Sequence, residues 1–363
     1  MFQCIGYAAD NAQSPLRLIR FDREEPGEHE VLIEVMFCGV CHSDIHQIRN
    51  EWDNTVYPSL PGHEVVGKVS KIGGAVTLHK LGDIVGVGCM IDSCRECEAC
   101  AAGEENYCHG PNGWLATYNG PMVPKAKAPD GKNSYGRDNT YGGYSTHLVV
   151  AEDFALKIPA GLKPEEAAPL LCAGATTLSP MRHWGVKAGD KVGILGLGGL
   201  GHVAVKLAKA MGCEVSVFTT SVEKFDAAKA MGAECVIMEH DAEAMKKLAG
   251  TFDFILSTIP LKHDVNPYFP LLKRNKTLVA VGALEPMEPL NNMLTAFHRQ
   301  SFAGSLIGSI RETREVLEFC AAHKVAPEIQ MISIDEVNDA YDRVVNGEVR
   351  FRYVIDMASL KGR

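Results

Sequence analysis

The sequence predicts an α/β protein of two domains, one β-rich and drawn from both chain ends, the other a parallel-sheet domain inserted between them. Three observations carry this. The chain has 363 residues, more than one hydrophobic core usually organises. Up to about Val150 it reads as short strands broken by glycine and proline turns. From Asp190 the texture changes to strand, glycine turn, helix, strand, helix, the alternation that builds a parallel sheet.

Taken in order, residues 31–35, 65–69 and 83–88 are runs of β-branched and apolar residues and read as strands. Between His109 and Gly143 the composition shifts to Pro, Gly, Asn, Lys and Asp, which predicts a long surface excursion over roughly 110–140. Residues 144–150 return to strand character, and 164–168 and 173–184 read as helices. The second domain comes next: strand 191–195, helix 200–211, strand 214–218, helix 222–231, then buried strands at 252–257 and 277–282. A helix from about Glu312 and a strand at 352–356 return to the first domain. The predicted division is therefore 1–172, with a cysteine-rich lobe at 89–112, then 173–311, then 312–363. No internal repeat is present.

Composition limits the partners. A net charge of −9 disfavours nucleic acid and anionic membrane surfaces. No apolar run has the length of a membrane span, and residues 1–10 lack the pattern of an export signal. Twelve cysteines without such a signal point to metal binding in a reducing, cytoplasmic setting rather than to disulfides.

The cysteines sort into two constellations. Cys94, Cys97, Cys100 and Cys108 have the spacing C-x2-C-x2-C-x7-C, which can wrap four thiolates around one zinc ion. Ferredoxin iron–sulfur sites begin the same way, but their fourth cysteine comes after three residues and precedes proline. Here it comes after seven and precedes His109, so a structural zinc is expected. The second constellation starts in the run 41–46, where Cys41, Ser43, Asp44 and His46 place a thiolate, a hydroxyl, a carboxylate and an imidazole close together. His63 and Glu64 occur downstream in Pro61-Gly62-His63-Glu64, and Cys172 in Leu170-Leu171-Cys172-Ala173-Gly174. Two cysteines and a histidine are three ligands with a fourth position open, the arrangement of a catalytic zinc.

A third constellation lies in the second domain. Gly196, Leu197, Gly198, Gly199, Leu200 and Gly201 form G-x-G-x-x-G between a predicted strand and helix, the context of a dinucleotide fingerprint. NAD-binding sequences usually set an acidic residue at the end of the next strand to hold the ribose 2′-hydroxyl. This chain has Thr219, Thr220 and Ser221 there, with Lys224 one step later, and that set favours NADP(H).

With these residues in place the chain resembles the zinc-dependent medium-chain alcohol dehydrogenase family, in its cinnamyl alcohol dehydrogenase-like branch, which includes bacterial NADP-dependent aldehyde reductases. The match runs from Gly39-Val40-Cys41-His42 to Arg352-Tyr353-Val354-Ile355-Asp356. It implies a GroES-like catalytic domain and a Rossmann-type nucleotide-binding domain. It implies Cys41, His63 and Cys172 as catalytic zinc ligands, with Glu64 as a ligand that approaches when solvent leaves. Ser43 and His46 fall at the proton relay, and Asp44 at the carboxylate that orients His63. Thr258, Gly282, Ser305, Leu306 and Ile307 fall at contacts to the nicotinamide half of the cofactor, and Trp52 and Trp114 at the substrate pocket. The excursion over 110–140 is longer than the family pattern. The resemblance also implies a homodimer acting on small aldehydes and alcohols, with hydride passed between NADPH and an aromatic or aliphatic carbonyl. Two other functions compete. An NAD-dependent zinc polyol dehydrogenase would carry an acidic residue ending the second strand. A non-catalytic relative would have lost a ligand or the relay hydroxyl, and none is lost here.

Overall fold

The computed structural model describes residues 1–110, 113–120, 139–282, 285–348 and 350–362. Most of the predicted 110–140 excursion thus lies outside the described residues. The chain divides into two compact units. Met1–Cys172, Ser309–Ala321 and Glu328–Arg363 form the first, Ala173–Gly308 with Ala322–Pro327 the second. Among the described residues, no helix is long and apolar enough to cross a membrane.

The first unit is organised on the strand Glu30–Gly39. Val31, Ile33 and Val35 are buried at a period of two, the signature of a strand that gives one face to a core. It pairs antiparallel with Val65–Ile72 along one edge and with both His147–Ala151 and Arg352–Asp356 along the other. Arg352–Asp356 also pairs in parallel with Ile329–Ser333. The register of these pairings positions the site. Gly39 stands opposite Val354 and donates its N–H to the Glu64 carbonyl at 3.0 Å. One strand end thereby gathers three distant parts of the sequence: the turn into Cys41, the Gly62–Glu64 segment and Arg352.

The second unit holds a parallel sheet of six strands among the described residues. Their order is Cys235–Met238, Glu214–Thr219, Lys191–Leu195, Phe252–Ser257, Leu272–Ala280 and Ser301–Gly304. The order reverses between Lys191–Leu195 and Phe252–Ser257, and ligands bind such sheets beyond the carboxyl ends at that switch point. Leu195, Phe218, Phe252, Ile255, Phe269 and Leu278 share one apolar cluster. Burying each such side chain is worth roughly 1.5–3 kcal/mol, so this core fixes the strand ends on which the glycine turn sits.

Several elements lacked a readable pattern. The hairpin of Phe2–Ala8 with Arg17–Arg23 is one, because charged residues interrupt its second strand. Leu272–Ala280 begins five residues before the predicted strand, since Lys273, Arg274 and Asn275 are exposed and carry no apolar signal. The predicted helix at 222–231 is a 3₁₀ turn, Val222–Lys224, followed by the α-helix Phe225–Ala230.

Candidate active site and metal centres

Cys41 ends the turn after Glu30–Gly39 and caps the helix His42–Ile48. His63 and Glu64 precede the strand Val65–Ile72, and Cys172 closes a 3₁₀ turn, Ala168–Leu171. Folding brings the four together: one ligand atom from each of Cys41, His63, Glu64 and Cys172 lies within 4.8 Å of the others, and all four residues are buried. Hydrogen bonds to Cys41 and Cys89, with burial added, raise the Cys172 thiol well above its ordinary range, whereas the bond to Cys172 pulls Cys41 well below. Cys172 therefore keeps its proton beside the Cys41 thiolate, and a cation between the two sulfurs is what would let both ionise. Among the described residues, His63 Nε2 and Glu64 Oε2 are buried with no hydrogen-bond partner at bonding distance, and the Cys41 sulfur is the neighbour His63 feels, as for ligand atoms of one metal set. Thiolate, imidazole and carboxylate donors at this spacing suit zinc.

Asp44 fixes the geometry. Its carboxylate is fully buried and accepts three hydrogen bonds: Cys41 N–H at 3.0 Å, Gly62 N–H at 2.9 Å and His63 Nδ1 at 2.9 Å. The bond to Nδ1 leaves Nε2 as the metal-facing nitrogen. Glu64 is held from the other side. Its Oε1 accepts from the buried Arg352 guanidinium, while burial pushes the carboxyl up to about 7 against that pairing. A Cβ at Gly39 would stand 1.9 Å from Glu64 Oε2, so only glycine admits this carboxylate.

Ser43 and His46 lie on the same short helix. Ser43 Oγ is 3.8 Å from Cys41 Sγ, beside the metal set. His46 Nδ1 pairs with the Glu51 carboxylate, and its ring lies 5.6 Å from Trp52 and 5.4 Å from His42. Trp52 thus packs against His46, whereas among the described residues no contact of Trp114 ties it to these groups.

Four residues around this centre escaped sequence reasoning. Arg352 and Glu51 are the two just described. Tyr118 packs its ring 5.5 Å from His63. Cys89 hydrogen-bonds Cys172 and feels the charge of His63, a third thiol at the edge of the metal set. No ligand spacing marks Cys89, which follows the strand Ile84–Val87, and its sequence context reads as ordinary strand packing.

The second cysteine group is separate. Sulfur atoms of Cys94, Cys97, Cys100 and Cys108 lie within 4.8 Å of one another, and all four thiols are free of disulfides. The lobe around them has little regular structure, a four-residue helix at Glu98–Ala101 and a 3₁₀ turn at Glu105–Tyr107. Backbone N–H groups lower the Cys97 thiol to about 6, ready to act as a thiolate. A Cβ at Gly110 would fall 2.6 Å from Cys94 Sγ, so the chain closes tightly on the sulfurs. With two such groups among the described residues, freshly purified protein should carry two zinc ions per chain by elemental analysis. About one zinc, or abundant iron, would contradict the donor chemistry.

In the second unit the expected cofactor residues fall at the carboxyl ends of five strands. Gly196–Gly201 follows Lys191–Leu195, Thr219–Ser221 ends Glu214–Thr219, Thr258 follows Phe252–Ser257, Gly282 follows Leu272–Ala280, and Ser305–Ile307 follows Ser301–Gly304. The fingerprint has the required form. Gly196 has φ of +83°, a Cβ at Gly201 would stand 2.1 Å from the Gly196 carbonyl, and a Cβ at Gly198 would meet nothing within 4 Å. An open side at the second glycine is what a dinucleotide fingerprint requires for backbone N–H groups to meet a pyrophosphate. Thr258 Oγ1 donates to the Leu195 carbonyl at 2.9 Å and so braces the turn. At the second strand, Thr219 is buried and its hydroxyl accepts from Ser221 N–H at 3.1 Å. Ser221 Oγ donates to Glu223 Oε2 at 2.6 Å, so this corner holds a carboxylate that the strand end itself lacks. Lys224 is half-buried and forms no ion pair among the described residues.

A thiolate–imidazole metal centre in one unit and a dinucleotide fold in the other define a metal-dependent, nucleotide-linked oxidoreductase. Residues 27–160 match the alcohol dehydrogenase GroES-like domain and 199–322 the zinc-binding dehydrogenase domain. The chain is 48% identical to NADP-dependent alcohol dehydrogenase C 1 of Mycolicibacterium smegmatis, over 98% of each. It is 46% identical to the aldehyde reductase YahK of Escherichia coli, over 97% of each. Among solved structures, a cinnamyl alcohol dehydrogenase from Sorghum bicolor aligns with a TM-score of 0.91 at 42% identity, over 98% of each chain. The enzyme of that name from Helicobacter pylori, complexed with NADP(H), aligns at 0.88 and 37%, again over 98% of each chain. The chain belongs to the zinc-dependent medium-chain alcohol dehydrogenase family, in its cinnamyl alcohol dehydrogenase-like branch.

Proposed function

We propose that this chain is a zinc-dependent NADP(H) alcohol dehydrogenase working as a reductase of aromatic and aliphatic aldehydes. The observation that carries the reading is the buried set of Cys41, His63, Glu64 and Cys172, with an orphaned His63 Nε2. When bound, zinc supplies Lewis-acid polarisation of a carbonyl oxygen, and NADPH supplies the hydride. The chain's own residues do the rest. Asp44 holds the His63 tautomer, and Arg352 anchors the Glu64 carboxylate beside the set. Ser43 Oγ donates the proton that the reduced oxygen needs, and His46, steadied by Glu51, restores it from solvent. Thr220, Ser221 and Lys224 form the corner offered to a 2′-phosphate, and Thr258, Gly282 and Ser305–Ile307 the side offered to the nicotinamide.

Two further features belong to the reading. Free thiols throughout, in place of disulfides, favour a reducing cytoplasm. A homodimer is supported by the edge strand Ser301–Gly304 and by Phe297 just before it, 79% exposed.

Steady-state rates with a panel of aromatic and aliphatic aldehydes test the activity. Efficient turnover of several aldehydes with NADPH is expected, and turnover confined to polyols with NAD would overturn it. Cofactor choice has its own test. Lys224→Ala should lower kcat/KM for NADPH by roughly tenfold to a hundredfold, the worth of one charge-assisted contact to a phosphate. NADH use should hardly change, and equal losses for both cofactors would place Lys224 away from the 2′-phosphate.

A further inference from the structure

The corner offered to a 2′-phosphate contains an opposing charge. Glu223 lies in the 3₁₀ turn Val222–Lys224, between Ser221 and Lys224. The hydrogen bond from Ser221 holds its carboxyl below the ordinary range, so it is ionised at neutral pH. A serine hydroxyl has one proton to donate, and here that proton goes to Glu223 Oε2 at 2.6 Å. The Ser221 N–H is likewise committed, to Thr219 Oγ1 at 3.1 Å.

We propose that Glu223 is a specificity-determining residue that narrows the preference for NADPH: it withholds Ser221 from the 2′-phosphate and repels its charge. The inference rests on the reading of NADP(H) as cofactor. A phosphate entering this corner meets one of two arrangements. Either Ser221 keeps its bond to Glu223 and presents only lone pairs, or it turns to the phosphate and leaves the carboxylate without its donor. Both oppose the phosphate, and both place two anionic groups near one ammonium, that of Lys224. A ribose 2′-hydroxyl meets no such penalty, because it is a donor and the carboxylate is an acceptor, the pairing usual in NAD sites. Glu223 thus acts against Thr220, Ser221 and Lys224, and the preference for NADPH is smaller than those three residues alone would give.

The test is direct binding of NADPH and NADH to the zinc-loaded protein, monitored by quenching of tryptophan fluorescence. Glu223→Gln removes the charge and keeps the shape; Glu223→Ala also releases the Ser221 hydroxyl. The Gln variant should bind NADPH about tenfold more tightly, with no gain for NADH. The Ala variant should gain at least as much. The gain should shrink as salt is raised, because the repulsion between two exposed anions is screened. NADPH affinity unchanged or weakened in both variants would overturn the role of Glu223. Lys224→Ala, titrated in parallel, separates the inference from the reading beneath it. If that variant binds NADPH as well as the wild type, the 2′-phosphate corner itself is misplaced. If only the Glu223 variants fail to respond, the corner stands and the brake does not.

Discussion

Serine in place of Cys172 is expected to lower turnover by more than about a hundredfold while the protein stays folded. Even the partners of metal ligands are worth about 10–100-fold, and Cys172 would hold the metal itself. A hydroxyl is nearly the size of a thiol, so packing behind the turn Ala168–Leu171 and ahead of the helix Ala173–His183 should survive. The hydroxyl keeps its proton at neutral pH, however, and binds zinc far more weakly than a thiolate. Zinc content should fall toward one per chain, with a melting temperature close to that of the wild type. Cys100→Ser should do the reverse. It removes a ligand from a lobe whose described residues form only the short strand Met90–Asp92, one short helix and one 3₁₀ turn, so stability should fall first. A Cys172→Ser enzyme with two zinc ions and near-normal turnover would remove Cys172 from the catalytic set.

These two centres were legible because metal ligation leaves a chemical trace in sequence. Cys94, Cys97, Cys100 and Cys108 announce themselves by spacing alone, and His63 and Cys172 by residue type in small-residue turns. The parallel sheet was legible for a different reason: its strands are buried on both faces and read as apolar runs. What stayed hidden depends on pairing across the chain. Arg352 meets Glu64 across 288 positions, through a register that only the assembled sheet defines. Nothing near Arg352 in the sequence distinguishes it from a surface arginine. Cys89 and Tyr118 reach the metal set from either side of the cysteine lobe, again by tertiary packing. Glu223 was hidden in another way. An acidic residue was sought at the end of the strand Glu214–Thr219, and the carboxylate arrives from the turn beyond it, through its bond to Ser221.

Alanine in place of Ser43 is expected to separate proton transfer from metal binding. Ser43 lies one helical position from Asp44 and 3.8 Å from Cys41 Sγ, so the turn that places the metal ligand also places the hydroxyl. The residue is not fully buried, and its loss opens no cavity that would disturb the helix His42–Ile48. Asp44 keeps its three hydrogen bonds and His63 its tautomer, so zinc content and NADPH affinity should match the wild type. The reduced oxygen, however, loses its donor. General acid–base transfer is typically worth about 10²–10⁴-fold, and turnover should fall by that order. His46→Ala should cost less, because in the proposed relay it is the terminal group, which water or buffer can replace. Added imidazole should restore part of that rate, but none of the rate lost in Ser43→Ala. Measured together, zinc content, cofactor affinity and turnover leave the outcome plain. Near-normal turnover in Ser43→Ala would move the proton source from this hydroxyl to solvent.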